Sequence, residues 1–108
     1  MRRGSVVTVA GGGDFTGKPR PAIIVQADAF HLTGSVTLCP LTTTDIDARL
    51  FRIAISPNAE NGLKAHSWAM TDKLVTVRRE RVHSVIGHIT DGELLQLSRA
   101  MIVFLGLA

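Results

Sequence analysis

Four consecutive residues, Ala22-Ile23-Ile24-Val25, constrain this chain most, because every one is apolar and none alternates with a polar neighbour. A strand tolerates that pattern only where both of its faces are covered. The run therefore predicts a strand in the middle of a sheet. Immediately before it stand Pro19-Arg20-Pro21. The two prolines fix backbone angles on either side of Arg20, which gives that arginine a stiff mount just where the buried strand begins. A rigidly held guanidinium suits a phosphate, which it can meet in two parallel hydrogen bonds. A solvated charge or an ion-pair partner fits the same residue.

Elsewhere, short apolar runs and period-2 alternation recur between Gly, Pro, Asn and Asp clusters, the pattern of a β-rich chain. Further strands are expected over Ser5–Ala10, Ser35–Leu41, Leu50–Ile55, Ser67–Thr71, Leu74–Arg78 and Val82–Ile89, with the central one over Ala22–Gln26. In the fourth of these seven, Phe51, Ile53 and Ile55 alternate with Leu50, Arg52 and Ala54, so this strand has one polar-tolerant face and belongs nearer solvent. Four glycines among residues 11–17 predict a long loop, either closing over a ligand or simply slack. Pro57 to Gly62 reads as a surface turn.

The end of the chain changes period. Thr90-Asp91-Gly92-Glu93 matches a capping box, in which the threonine and the glutamate satisfy each other's backbone amides. A helix is expected from Asp91 to Leu105, packed on the sheet through Leu94, Leu97, Met101 and Phe104, joined by Leu95, Ala100 and Val103. Gly106 is placed to end it in a left-handed conformation. The fold class expected is thus mainly β (α+β).

The 108 residues suit a single domain (1–108), and 45% hydrophobic against 19% charged residues favours a packed globule over disorder. The single cysteine, Cys39, can make no internal disulfide, and no signal-peptide pattern opens the chain, so a cytoplasmic protein is expected. The apolar stretch near Met101 to Leu107 falls well short of the roughly 20 residues that cross a bilayer. Basic residues are chosen unevenly, nine arginines against three lysines, with a net charge of +3. Arginine's planar fork suits phosphate, although a GC-rich genome produces the same bias through its codons.

The histidines, His31, His66, His83 and His88, are scattered, and no Cys-x-x-Cys or His-Glu-x-x-His is present, so no metal site is expected. Gly17-Lys18 is followed by proline where a phosphate-binding P-loop opens a helix. A nucleotide-binding loop is excluded there.

Taken in order, Met1-Arg2-Arg3-Gly4 before a valine-rich strand, then Gly17-Lys18-Pro19-Arg20-Pro21-Ala22-Ile23-Ile24-Val25-Gln26, then Val36 to Thr44, then Asn61-Gly62-Leu63, then Ala69-Met70-Thr71-Asp72-Lys73, and finally Gly87-His88-Ile89 before the helix, resemble the MazF/PemK (Kid) toxin family over nearly the whole chain. The resemblance implies an SH3-like, CcdB/PemK-type small barrel that forms a homodimer. It implies a toxin of a type II toxin–antitoxin system that cuts single-stranded RNA at particular sequences, with no metal or cofactor, through attack of a ribose 2′-hydroxyl. Its implied partners are the RNA and a cognate antitoxin, with operator DNA reached only through the antitoxin complex, and no membrane.

Residue by residue, the family's catalytic arginine and threonine fall on Arg20 and Thr42, and the aspartate of PemK-like members on Asp72. Asp72 has a second reading, a turn residue pairing with a backbone amide. Lys18, Thr43, Trp68 and Lys73 are the RNA-binding candidates; Trp68 suits base stacking, an interface or core packing. The chain departs from the pattern at Ser5, where many relatives are acidic, and at Met70, where PemK-like members place a second functional arginine. Two other functions share the barrel. One is gyrase poisoning, as in the CcdB relatives, whose C-terminal tryptophan is missing from Leu105-Gly106-Leu107-Ala108. The other is a binding module that does not cut.

Overall fold

The computed structural model describes residues 1–10 and 18–107. The glycine-rich segment expected to form a long loop lies outside the described residues. Seven antiparallel strands form one sheet: β1 (Ser5–Val9), β2 (Arg20–Ile24), β3 (Ser35–Thr42), β4 (Arg52–Ile55), β5 (Ser67–Met70), β6 (Val75–Arg78) and β7 (Val82–His88), followed by helix α1 (Asp91–Leu105). The spatial order is β4-β5-β3-β2-β1-β7, and β6 also pairs with β3. The apolar run accordingly lies between β1 and β3, with both faces covered, and β4 forms an edge.

Alternation along β1, β2 and β3 splits the interior into two cores. Val6, Ile23, Val25, Cys39 and Leu41 join Ile55, Ala69, Ile89 and Leu97 in one of them, beneath α1. Val7, Ala22, Ile24, Val36, Leu38 and Val77 make the other. Each valine, leucine or isoleucine side chain withdrawn from water contributes about 1.5–3 kcal/mol before chain entropy is subtracted. The strand β2 starts two residues earlier than its apolar run suggests, taking in Arg20 and Pro21. Those two pair with Val9 and Thr8 of β1, whereas β3 pairs only from Ala22 onward. A strand paired on one side is where proline is tolerated.

The strands β5 and β6 are two halves of one neighbour of β3. Thr42 pairs with Trp68 in β5 and Leu38 with Val75 in β6. The two registers differ by three residues, taken up by the 3-10 turn Thr71–Lys73 that forms a corner between the halves. The segment Asn58–Gly62 is more tightly built than a plain surface turn. Asn61 is fully buried, donating to the Ser56 carbonyl at 2.8 Å and accepting from the amides of Asn58 and Leu63. Gly62 has φ +67°, and a Cβ on it would come within 2.3 Å of the Ile86 carbonyl oxygen, so glycine is required where this segment meets β7.

The capping box forms as expected. Glu93 N donates to Thr90 Oγ1 at 3.1 Å, Thr90 N donates to Glu93 Oε1 at 2.9 Å, and Gly106 ends α1 with φ +69°. Packing of the helix is narrower than its apolar face suggests. Leu97 and Ala100 are buried and Leu94 and Met101 partly so, whereas Leu95 and Val103 face outward. Phe104 rests against Phe51, with ring centroids 5.5 Å apart. Among the described residues, no helix is long and apolar enough to cross a membrane.

Candidate functional site

Arg20 is exposed and opens β2, mounted between its two prolines. Ala22 pairs with Pro40 as the last pair of the β2–β3 ladder, so Arg20 and Thr42, each two residues further on, both stand just beyond that end of it. Both lie an even number of residues from members of the second core, Arg20 from Ala22 and Thr42 from Leu38, so both belong to that face of the sheet. On the other side of β3, Thr42 pairs directly with Trp68. Three of the expected site residues, Arg20, Thr42 and Trp68, therefore form a row at the same end of three neighbouring strands, with Thr42 and Trp68 directly paired. With strands about 4.8 Å apart, the row spans about 10 Å at the backbone.

Thr42 is half-buried, and its hydroxyl oxygen accepts a hydrogen bond from Thr44 N at 3.1 Å. That contact turns the chain sharply after β3 and leaves the hydroxyl proton available to a ligand. Trp68 is also half-buried, with the His66 ring edge-on at 4.8 Å. Beyond it opens a cleft of about 530 Å³ whose walls include Arg49, Arg52, His66 and Gln96, with Asp45 and Asp47 at the side. Thr43 points into a different groove, shared with Pro19, Pro21, Leu63 and Lys64. Lys18 is exposed two residues before Arg20, and Lys73 is exposed at the corner turn.

Asp72 sits on that turn, where its first partner is a side chain and its own backbone amide adds a lesser hydrogen bond. Arg52 reaches it in a fork, Nε to Oδ1 and Nη2 to Oδ2, each at 3.0 Å. The side chains are only 8% and 18% exposed, so the pair is mostly withdrawn from water. The Arg52 guanidinium holds the Asp72 carboxyl below its ordinary 3.8. Beneath it, burial first and the Asp72 charge second push the Cys39 thiol up to about 12, which makes it an inert core residue. Among the described residues, no three His, Cys, Asp or Glu side chains gather in a cluster able to hold a metal ion. Arg52, seen in the sequence only as a polar interruption, and His66 were not legible as site residues, because strand pairing alone brings them beside Trp68.

A bent antiparallel sheet closed by a C-terminal helix, with an arginine and a threonine at the same end of two central strands, defines a small β-rich class of protein. Within it, the chain belongs to the family described as "PemK-like, MazF-like toxin of type II toxin-antitoxin system", which it matches over residues 2–105. A probable endoribonuclease MazF of Mycolicibacterium smegmatis is 45% identical over 108 residues, covering 100% of this chain and 99% of that one. The solved toxin MazF-mt6 of Mycobacterium tuberculosis superposes with a TM-score of 0.82 at 22% identity, over 96% of this chain and 98% of that one. A mycobacterial endoribonuclease solved in complex with its cognate antitoxin gives 0.81 at 23% identity, over 100% and 97%. These two structures share the fold.

Proposed function

We propose that the chain is the endoribonuclease toxin of a type II toxin–antitoxin pair, acting in the cytoplasm on single-stranded RNA at a particular sequence and neutralised by its antitoxin. The observation that carries this reading is the row Arg20, Thr42, Trp68 on one sheet face. The names of the relatives support it, as does a neighbour solved with its antitoxin. In the reaction, a ribose 2′-hydroxyl attacks the adjacent phosphorus and the bond to the 5′-oxygen breaks. The products are a 2′,3′-cyclic phosphate and a 5′-hydroxyl.

Negative charge accumulates on the attacked phosphate. Arg20 supplies the compensating cation from a mount that needs little reorganisation. Its very high pKa makes it an electrostatic stabiliser rather than a proton shuttle. Thr42 donates its hydroxyl proton to a non-bridging oxygen. Asp72 is committed on both oxygens to Arg52 and is a weak base at neutral pH, so its part is to hold the corner that places β5 beside β3. Trp68 takes a base stacked one or two nucleotides along, with Lys18, Thr43 and Lys73 as flanking contacts. The outward apolar residues at the end of α1, Val103, Leu105 and Leu107 among them, support a homodimer.

The test is incubation of the purified protein with a long single-stranded RNA in EDTA, followed by sequencing of the cut ends. Cleavage with 5′-hydroxyl and cyclic-phosphate ends, lost in a folded Arg20→Ala variant, is expected. Cleavage that needs a divalent metal, or that survives in the variant, overturns the mechanism. Gyrase inhibition with the RNA left intact replaces the reading altogether.

A further inference from the structure

The pocket that opens beside Arg20 on the row's face has a volume of about 250 Å³. Its walls include Val9, Ala22, Leu38, Pro40, Val75 and Val77, and the charged residues lining it are Arg20 and Arg81. An apolar floor between two guanidinium groups matches one nucleotide of a single strand, with an apolar ring face below and phosphates to either side. We propose that Arg81 is a second RNA-phosphate contact, gripping the phosphate next to the one that Arg20 serves. This inference rests on the reading of the chain as an RNA-cutting toxin and names a residue of that same site.

Three features fit Arg81 to the task. Its mount is stiff: Arg81 Nη2 donates to the Ala10 carbonyl at 2.8 Å, and Ala10 N donates to the Arg81 carbonyl at 2.8 Å. One of its five N–H donors is used in this way, which orients the guanidinium and leaves others for a ligand. Its charge is available, since no carboxylate among the described residues forms an ion pair with it. Its distance is suitable, because Val9 pairs with Arg20 on one side and with Val82, the neighbour of Arg81, on the other. The two arginines thus stand on either side of a single strand, about 10 Å apart at the backbone. Arg81 supplies a second cation from the 3-10 turn Arg79–Arg81 that leads into β7.

The experiment compares Arg81→Gln, which removes the charge but keeps a donor for Ala10, with Arg81→Lys, which keeps both. The probe is a short single-stranded RNA spanning the mapped cleavage site, with a 2′-deoxy sugar at the cut so that binding is read without reaction. Losing one phosphate contact on a single strand lowers the slope of log affinity against log salt by about 0.7. R81Q is expected to show that drop, with binding about tenfold weaker at moderate salt, whereas R81K keeps the wild-type slope. On the cleavable RNA, KM rises in R81Q far more than kcat falls. A wild-type slope in R81Q, or identical behaviour of the two variants at unequal melting temperatures, marks a purely structural residue and overturns the inference. Wild-type protein that binds no RNA overturns the toxin reading and this inference with it. Binding that persists with an unchanged R81Q slope overturns this inference alone.

Discussion

Arg20 and Arg52 are chemically the same residue, held in two different ways a few strands apart. Arg20 stands exposed at the end of a strand, stiffened by prolines in its own sequence. Arg52 is nearly buried and locked to Asp72 in a two-bond fork. A cation that must meet a phosphate has to keep solvent access, and the two prolines stiffen the backbone of Arg20 without covering it. A cation that holds a corner gains rigidity from a carboxylate and gives up its access. The difference teaches that, in this sheet, exposure separates chemistry from architecture more sharply than residue type does.

The comparison breaks if the two arginines respond alike to truncation. Arg20→Ala is expected to lower kcat on the mapped RNA by about 10²–10³-fold, the cost of one preorganised donor to a developing anion, with the fold retained as read by circular dichroism. Arg52→Met leaves Asp72 partly buried without its partner. A fully buried pair costs about 3–5 kcal/mol to break, and the residual exposure of Asp72 reduces this to about 2 kcal/mol. Urea unfolding should show that loss in a shifted midpoint, and a midpoint unchanged from wild type would make the pair incidental.

The same pair sharpens the comparison through pH. The carboxyl of Asp72 is depressed in the folded state relative to about 3.9 in the unfolded chain. Its contribution is therefore complete above that unfolded value and is lost as pH falls through the lower folded value. Asp72→Asn should accordingly be less stable than wild type at pH 7, and the gap should close as both are acidified below pH 4. A gap that persists at acid pH means the carboxylate charge is not the cause. Around neutrality, no limb of the pH–rate profile should disappear in this variant.

Trp68→Ala tests the far end of the row. Loss of one base stack weakens RNA binding by about 1–3 kcal/mol, and Trp68→Phe should recover most of it. Equal losses in both would point to a packing role. The smallest effect concerns Cys39. With its thiol pushed up to about 12, it should resist alkylation at pH 8 in the native protein and react fully once unfolded, with activity untouched by the reagent.

Much of this was legible in the sequence because it rests on local physics. A four-residue apolar run preceded by prolines favours a covered strand, a threonine and a glutamate three apart ahead of an apolar run favour a capping box, and two prolines stiffen whatever lies between them; β2, α1 and the mount of Arg20 follow from these. The tertiary structure decided what depends on partners distant in the chain. Strand pairing sets Thr42 beside Trp68 and brings Arg20 to the same end of the sheet. The three-residue corner gives Asp72 a partner 20 residues away, and the tether to Ala10 lifts Arg81 out of a run of charged residues that looks like a solvated face. Spacing along a chain specifies which way a side chain faces, but what it faces is settled only when strands from elsewhere are brought alongside.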